Sequence, residues 1–241
     1  MPLILLPNVL HEGESDLSLL FPPAVEKKVC SLQGLIAENE KEARRYLKRF
    51  TFPEGRSFRD IPLKLLNEHT KKEELADLLA PIMQGEVWGL ISDAGLPCLA
   101  DPGAHLVLLA RQKGVLVEAI CGPSSIFLAL MLSGLGAQNF TFHGYLPREE
   151  NLLKPRIKAL EKESELEGRT QLCIEAPYRG QSLMQVLIQE LKPNTLLSVC
   201  VHLTAPDQEI HTFSVQQWRK NPPLDMQKRP AIFLFSAQKS G

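Results

Sequence analysis

The chain has 241 residues, 44% of them hydrophobic and 23% charged, with a formal net charge of −1 at pH 7. That balance belongs to a folded chain with a sizeable core and excludes an intrinsically disordered one. It also excludes whole-molecule attraction to a polyanion, so contact with nucleic acid would have to come from local basic patches.

In chain order, "PLILL" reads as a short buried strand, and "HEGESDLSLLF" as a loop entering a helix with Ser15 or Asp16 as N-cap. "QGLIAE" is a second strand. "NEKEARRYLKRF" is a charged helix with Ala43, Tyr46, Leu47 and Phe50 on one face. "TKKEELADLLAPIMQG" has helical apolar spacing at Leu75, Leu78, Leu79 and Ile82 and closes at Gly85. Then come the strand "VWGLIS", the helix "GAHLVLLARQKG", the strand "VLVEAI" and the helix "PSSIFLALMLSG". The rest runs strand "NFTFHG", exposed helix "KPRIKALEKESELEG", strand "TQLCIEAP", helix "GQSLMQVLIQEL", and strands "LLSVCVHLT", "EIHTFSV" and "PAIFLFSA".

Alternation of strand and helix in the first half predicts a parallel α/β sheet. The later run of closely connected strands predicts a mixed one. The expected organisation is two α/β domains, 1–120 and 121–241. Five scattered cysteines, with no CxxC pair and no zinc-spaced Cys/His cluster, read as reduced thiols in a cytoplasmic protein without a metal site. "MPLILLPN" lacks the basic start of a signal peptide. Residues 119–147 carry no Asp, Glu, Lys or Arg, but their strongly apolar part, Ile126 to Leu132, falls short of the ~20 residues of a membrane span. It reads as a core helix, and no membrane partner is expected.

Two loops carry the chemistry. "ISDAGLPCLADPG" places Asp93, Gly95 and Asp101 after a buried strand, where α/β sheets bind ligands. The competing reading is a tight turn in which Asp101 caps the helix that follows, with Pro102 at its start. "AICGPSSIFLALMLSG" repeats the plan with Gly122, Pro123, Ser124 and Ser125, and here too a serine can serve only as a helix cap. Neither a P-loop nor a G-x-G-x-x-G fingerprint is present, which disfavours an NTPase and a Rossmann dehydrogenase.

These loops, together with "LILLP", "QGLIAEN", "HGYLPRE" and "RPAIFLF" in the same order, resemble the tetrapyrrole methylase superfamily. Within it they are most similar to the branch that modifies small-subunit ribosomal RNA. The resemblance implies a homodimeric two-domain α/β methyltransferase with S-adenosyl-L-methionine in a cleft between the domains, acting on an RNA ribose 2'-hydroxyl. It implies cofactor contacts from Ala94, Gly95, Leu96 and Leu99, with Asp93 and Asp101 nearby, from Ser124 and Ser125, from Glu175 or Ala176, and from the Ala231 backbone. Gly95→Val is expected to abolish cofactor binding and leave the fold largely intact.

The substrate side departs from the family. "VPTPIGNL" is replaced by "LLPNVLHEGESDL", "EDTR" by "ENEK", and "REL" by "VHL", which puts His202 in place of an acid. These changes keep two alternatives open: a small-molecule (tetrapyrrole-type) methyltransferase, and a cofactor-binding protein that has lost catalysis. Glu38, at the end of the second strand, is the candidate general base, set against a plain solvated residue at a helix start. His69 and His202 are further candidates. Arg44, Arg45, Arg49 and Arg56, interleaved with aromatics, are the candidate RNA-binding residues. The alternative for them is a solvated helix face whose aromatics enter the core.

Overall fold

The computed structural model describes residues 1–13, 17–221, 224–226 and 228–237. The chain divides into two compact units, Met1–Ser124 and Ser125–Gly241. Ser15 and Asp16, the expected N-cap, lie outside the described residues.

The first unit is a five-stranded sheet of β1 (Pro2–Leu5), β2 (Gly34–Ala37), β3 (Leu63–Leu65), β4 (Trp88–Leu90) and β5 (Leu116–Ala119), in the order β3-β2-β4-β1-β5. Every pairing is parallel. Its helices are α1 (Ala24–Ser31), α2 (Glu40–Leu47), α3 (Leu75–Met83) and α4 (Gly103–Gln112). Successive strand residues point to opposite faces. Ile4 and Leu35 join a core with Val25, Val29 and Leu47, while Leu3 and Ile36 join another with Leu79, Trp88 and Leu106. Burial on both faces explains why these strands read as unbroken apolar runs. The edge strand β3 was not among the expected elements, because its three residues are too few to show a period.

The second unit holds α5 (Ser125–Ser133), β6 (Phe140–Tyr145), α6 (Glu150–Glu167), β7 (Thr170–Glu175), α7 (Gly180–Glu190), β8 (Leu196–Val201), β9 (Glu209–Ser214), α8 (Val215–Trp218) and β10 (Ala231–Ser236). Its sheet order is β6-β7-β10-β8-β9. β6 and β7 are parallel and the remaining pairs antiparallel. Ile126, Ala129 and Leu130 of α5 pack with Leu172, Ile232 and Leu234. On the other core, α6 and α7 pack against Phe233 and Phe235. The expected exposed helix is therefore corrected: α6 buries a stripe of Leu153, Ile157 and Leu160 beneath its charges. It ends at Gly168, whose φ of 64° is the left-handed C-cap conformation. Among the described residues no helix is long and apolar enough to cross a membrane.

Candidate active site

Because the first sheet is parallel, β1, β2, β4 and β5 deliver their carboxyl ends to one edge, where α/β sheets hold ligands. Glu38 follows β2 and Asp93 follows β4, its neighbour. The Asp93 N–H donates to Glu38 Oε1 at 3.2 Å. Burial is the main cause that lifts the Glu38 carboxyl above its ordinary range, opposed by that hydrogen bond and reinforced by Asp93 and Asp101. Asp93 is raised as well, by burial and then by Glu42. A group of carboxylates that each resist ionisation suits a cation or a proton-transfer role.

Asn8, after β1, organises this edge and was missed from the sequence, where it sat in an unassigned loop. Its amide nitrogen donates to Ser92 O and Asp93 O, both at 3.0 Å, and its oxygen accepts from Val9 N at 2.8 Å. The available signal was a polar residue directly after a buried strand, the same feature that singled out Asp93. Asn8→Ala takes the side-chain partner from two buried backbone groups and a third part-buried one, and is expected to cost about 2–3 kcal/mol. Chemical denaturation measures this, and a change below about 0.5 kcal/mol would refute the assignment.

The loop from Asp93 to Asp101 is held in an unusual backbone. Gly95, Cys98 and Ala100 have φ of 70°, 72° and 64°. Two of the three are not glycine, a strain that survives only where surroundings enforce it. Asp101 enforces it: its carboxylate accepts from Cys98 N and Gly103 N, each at 2.7 Å. Asp101 thus organises the loop and the start of α4, as the turn reading proposed. Burial still lifts its carboxyl, against the pull of those N–H groups.

Gly95 exchanges hydrogen bonds with the β1 loop, Asn8 N to Gly95 O at 2.8 Å and Gly95 N to Val9 O at 3.3 Å. A Cβ there would come 3.1 Å from Leu10 and 3.5 Å from Pro123 O. The glycine is needed for backbone conformation and for packing between loops. The expectation that Gly95→Val spares the fold is therefore corrected. The contact distance to Pro123 also brings the two small-residue loops together. Neither Ser124 nor Ser125 makes a side-chain hydrogen bond among the described residues, so the alternative reading of them as helix caps has no hydrogen bond behind it. Ala94 and Leu99 are exposed and Leu96 is half-buried.

The four arginines separate into two pairs. Arg44 donates to the carbonyls of Phe58, Arg59 and Ile61, and Arg56 to those of Cys30 and Leu32. Both are used to tie loops down. Arg45 is paired with Glu12 and Glu42, and Arg49 donates to Glu12 O. Tyr46 and Phe50 enter the core, packed edge to face at 5.1 Å. Arg45 and Tyr46, with Asn8, His11, Glu42 and Asp93, are among the walls of a cavity of about 320 Å³. His69 is almost fully exposed beside Glu68.

In the second unit, Ala231 opens β10 and is the register partner of Glu175 at the end of β7. Glu175 is buried, with one oxygen accepting from Ala176 N at 2.8 Å and the other 3.4 Å from Arg179. Two residues far apart in sequence, both implied by the one family resemblance, are thus cross-strand neighbours. His202 follows β8 with a strained φ of 52°, its Nδ1 2.7 Å from Asp207.

The family model for Tetrapyrrole (Corrin/Porphyrin) Methylases matches residues 31–218, and the chain belongs to that family. It is 32% identical over 177 residues to a ribosomal RNA small subunit methyltransferase I of Halalkalibacterium halodurans, covering 73% of this chain and 56% of the relative. With the protein of the same name from Xylella fastidiosa it shares 30% over 175 residues, covering 72% and 60%. The chain thus spans little more than half the length of these curated relatives. The crystal structure of the methyltransferase CobJ shares the fold with a TM-score of 0.61 at 14% identity, covering 100% of this chain and 96% of CobJ.

Proposed function

We propose that this protein is an S-adenosyl-L-methionine-dependent methyltransferase acting on RNA, at a ribose hydroxyl of small-subunit ribosomal RNA. The observation that carries the reading is the pairing of Glu38 with the Asp93 loop in a chain of this family. The name shared by its relatives supports the RNA target.

The residues present suit the cofactor. Glu38 and Asp93, each disfavoured as a bare anion, would be relieved by a sulfonium charge, and the Ser124 and Ser125 hydroxyls have no competing bond among the described residues. Asp93, Ala94, Gly95, Leu96, Leu99 and Ser124 of the first unit are proposed cofactor contacts, with Asp101 shaping their loop. Ser125, Glu175, Ala176 and Ala231 are those proposed in the second. When bound, the cofactor supplies an electrophilic methyl group. Glu38 takes the proton of the attacking hydroxyl, a role its raised affinity for protons fits. Arg45 and Arg49 lie beside the acceptor, whereas Arg44 and Arg56 hold structure. The reading carries a cytoplasmic, homodimeric protein, with the uncharged stretch 119–147 contributing to the subunit interface.

The test is calorimetry with S-adenosylmethionine, followed by transfer of labelled methyl into total RNA against a small-molecule extract. Binding that needs no metal and label in RNA are expected. Absence of binding at millimolar cofactor, or label only in the small-molecule fraction, would overturn the proposal.

A further inference from the structure

We infer that the cavity of the first unit is a binding site for an uncharged, hydrogen-bonding heterocycle of nucleobase size, and that it excludes phosphate. The inference rests on the RNA reading above and names which part of the acceptor nucleotide this unit receives.

Position is the first argument. Asp93 and Ala94, from the loop assigned to the methyl donor, form part of the cavity wall. At about 320 Å³ it lies at the small end of ligand sites, enough for a base or nucleoside but not for a folded oligonucleotide.

Charge is the second. Arg45 is held between two carboxylates, Glu12 and Glu42, and Arg49 donates to the Glu12 backbone. Asp93 adds a carboxylate that burial already disfavours as an anion. The acids at this wall therefore match or outnumber its cations. A phosphate entering it would face carboxylates at close range in a partly desolvated space, where repulsion is strong. A neutral ring bearing its own donors and acceptors meets no such barrier.

The third argument is Tyr46. Its hydroxyl is fully buried and has no hydrogen-bond partner among the described residues. Phenylalanine would keep the ring and its packing on Phe50 and lose only this orphan group. A buried hydroxyl that the fold does not use is disfavoured unless a ligand completes it. Asn39 acts from the same wall: its oxygen caps α2 by accepting from Lys41 N and Glu42 N, which leaves its amide NH₂ as the end able to donate to a ligand.

The experiment is an NMR titration of the whole chain with the four ribonucleosides, inorganic phosphate, and a short single-stranded oligoribonucleotide, beside a separate calorimetric titration with S-adenosylmethionine. At least one nucleoside is expected to bind and shift the Ala94 amide, without competition from a tenfold excess of phosphate. Tyr46→Phe should weaken it about five- to tenfold, leave cofactor affinity unchanged, and keep or raise the melting temperature. Tighter binding of an oligonucleotide carrying the preferred base supports the site with RNA as the source. Nucleoside binding without oligonucleotide binding supports it with a free nucleoside as the source. Competition by phosphate, no binding by any nucleoside, or wild-type affinity in Tyr46→Phe overturns the inference. Loss of cofactor binding with nucleoside binding intact would instead defeat the methyltransferase reading and leave the pocket standing.

Discussion

Gly34→Ala is expected to unfold the first unit at temperatures where the natural chain is intact. Gly34 opens β2 and pairs with Trp88 on β4. A Cβ at this position would lie 2.3–2.4 Å from three atoms of the Trp88 ring. The ring has little freedom to yield. It is buried, its Nε1 donates to Glu86 Oε2 at 2.8 Å, and the Lys64 ammonium sits 5.4 Å from the ring centre. Overpacking of this kind costs roughly 1–3 kcal/mol or more, and a rigid aromatic in a central strand pair belongs at the upper end. Against a total of about 5–15 kcal/mol that is a large fraction. The melting temperature should fall by roughly 6–12 °C. Trp88→Leu in the same chain makes room, so the double variant should melt above Gly34→Ala alone, a coupling that a thermodynamic cycle isolates. A Gly34→Ala protein that melts within 2 °C of the parent would contradict this packing.

Glu38→Gln should remove activity and add stability, a combination a structural residue does not give. As general base, Glu38 is expected to account for about 10²- to 10⁴-fold in turnover. Its folded carboxyl holds protons more tightly than the unfolded chain does, chiefly because it is buried. Between the ordinary carboxylate range and the raised folded value, the native state therefore binds more protons than the unfolded state. Stability falls as pH rises through that window. At neutral pH the ionised group is a net burden on the fold, and glutamine keeps an oxygen for the Asp93 N–H. The variant should be more stable at pH 7 by about 0.5–1 kcal/mol, allowing for solvent screening at this half-exposed site. The gain should vanish below about pH 4, where both states of the parent are protonated. Methyl transfer into RNA and denaturant melts at pH 4 and pH 7 measure the two halves. Turnover within threefold of the parent would remove Glu38 from the base role, and lower stability at pH 7 would contradict the burial argument.

What could be read in advance follows from which interactions are local. The strands of the first sheet were legible because residues buried on both faces leave continuous apolar runs, as at Ile4 and Ile36. Helix faces were legible from spacing: Leu75, Leu78, Leu79 and Ile82 are all buried as their period requires. The role of Asn8 was not, since the two bonds its amide nitrogen donates depend on β1 and β4 lying side by side, although 84 residues separate it from Ser92. The arginines misled for a related reason. A cluster of Arg44, Arg45, Arg49 and Arg56 looks like one basic surface until folding supplies carbonyls to two of them and Glu12 to the other two. Charge in a linear string carries no information about partners that arrive from elsewhere in the chain.

The order β6-β7-β10-β8-β9 carries a consequence for biosynthesis. β10, residues 231–236, lies between β7 and β8 and is hydrogen-bonded to both, so although β6 can pair with β7 and β8 with β9, the two halves of that sheet cannot be joined until it has emerged from the ribosome. Until then the nascent chain presents two open strand edges flanked by hydrophobic residues such as Leu172 and Val199, a surface prone to self-association. The first unit has no such wait: its five strands pair only among themselves and can close while the second is still being translated. A nonsense codon anywhere between β8 and β10 would thus release a chain with one finished half and one half in need of a chaperone.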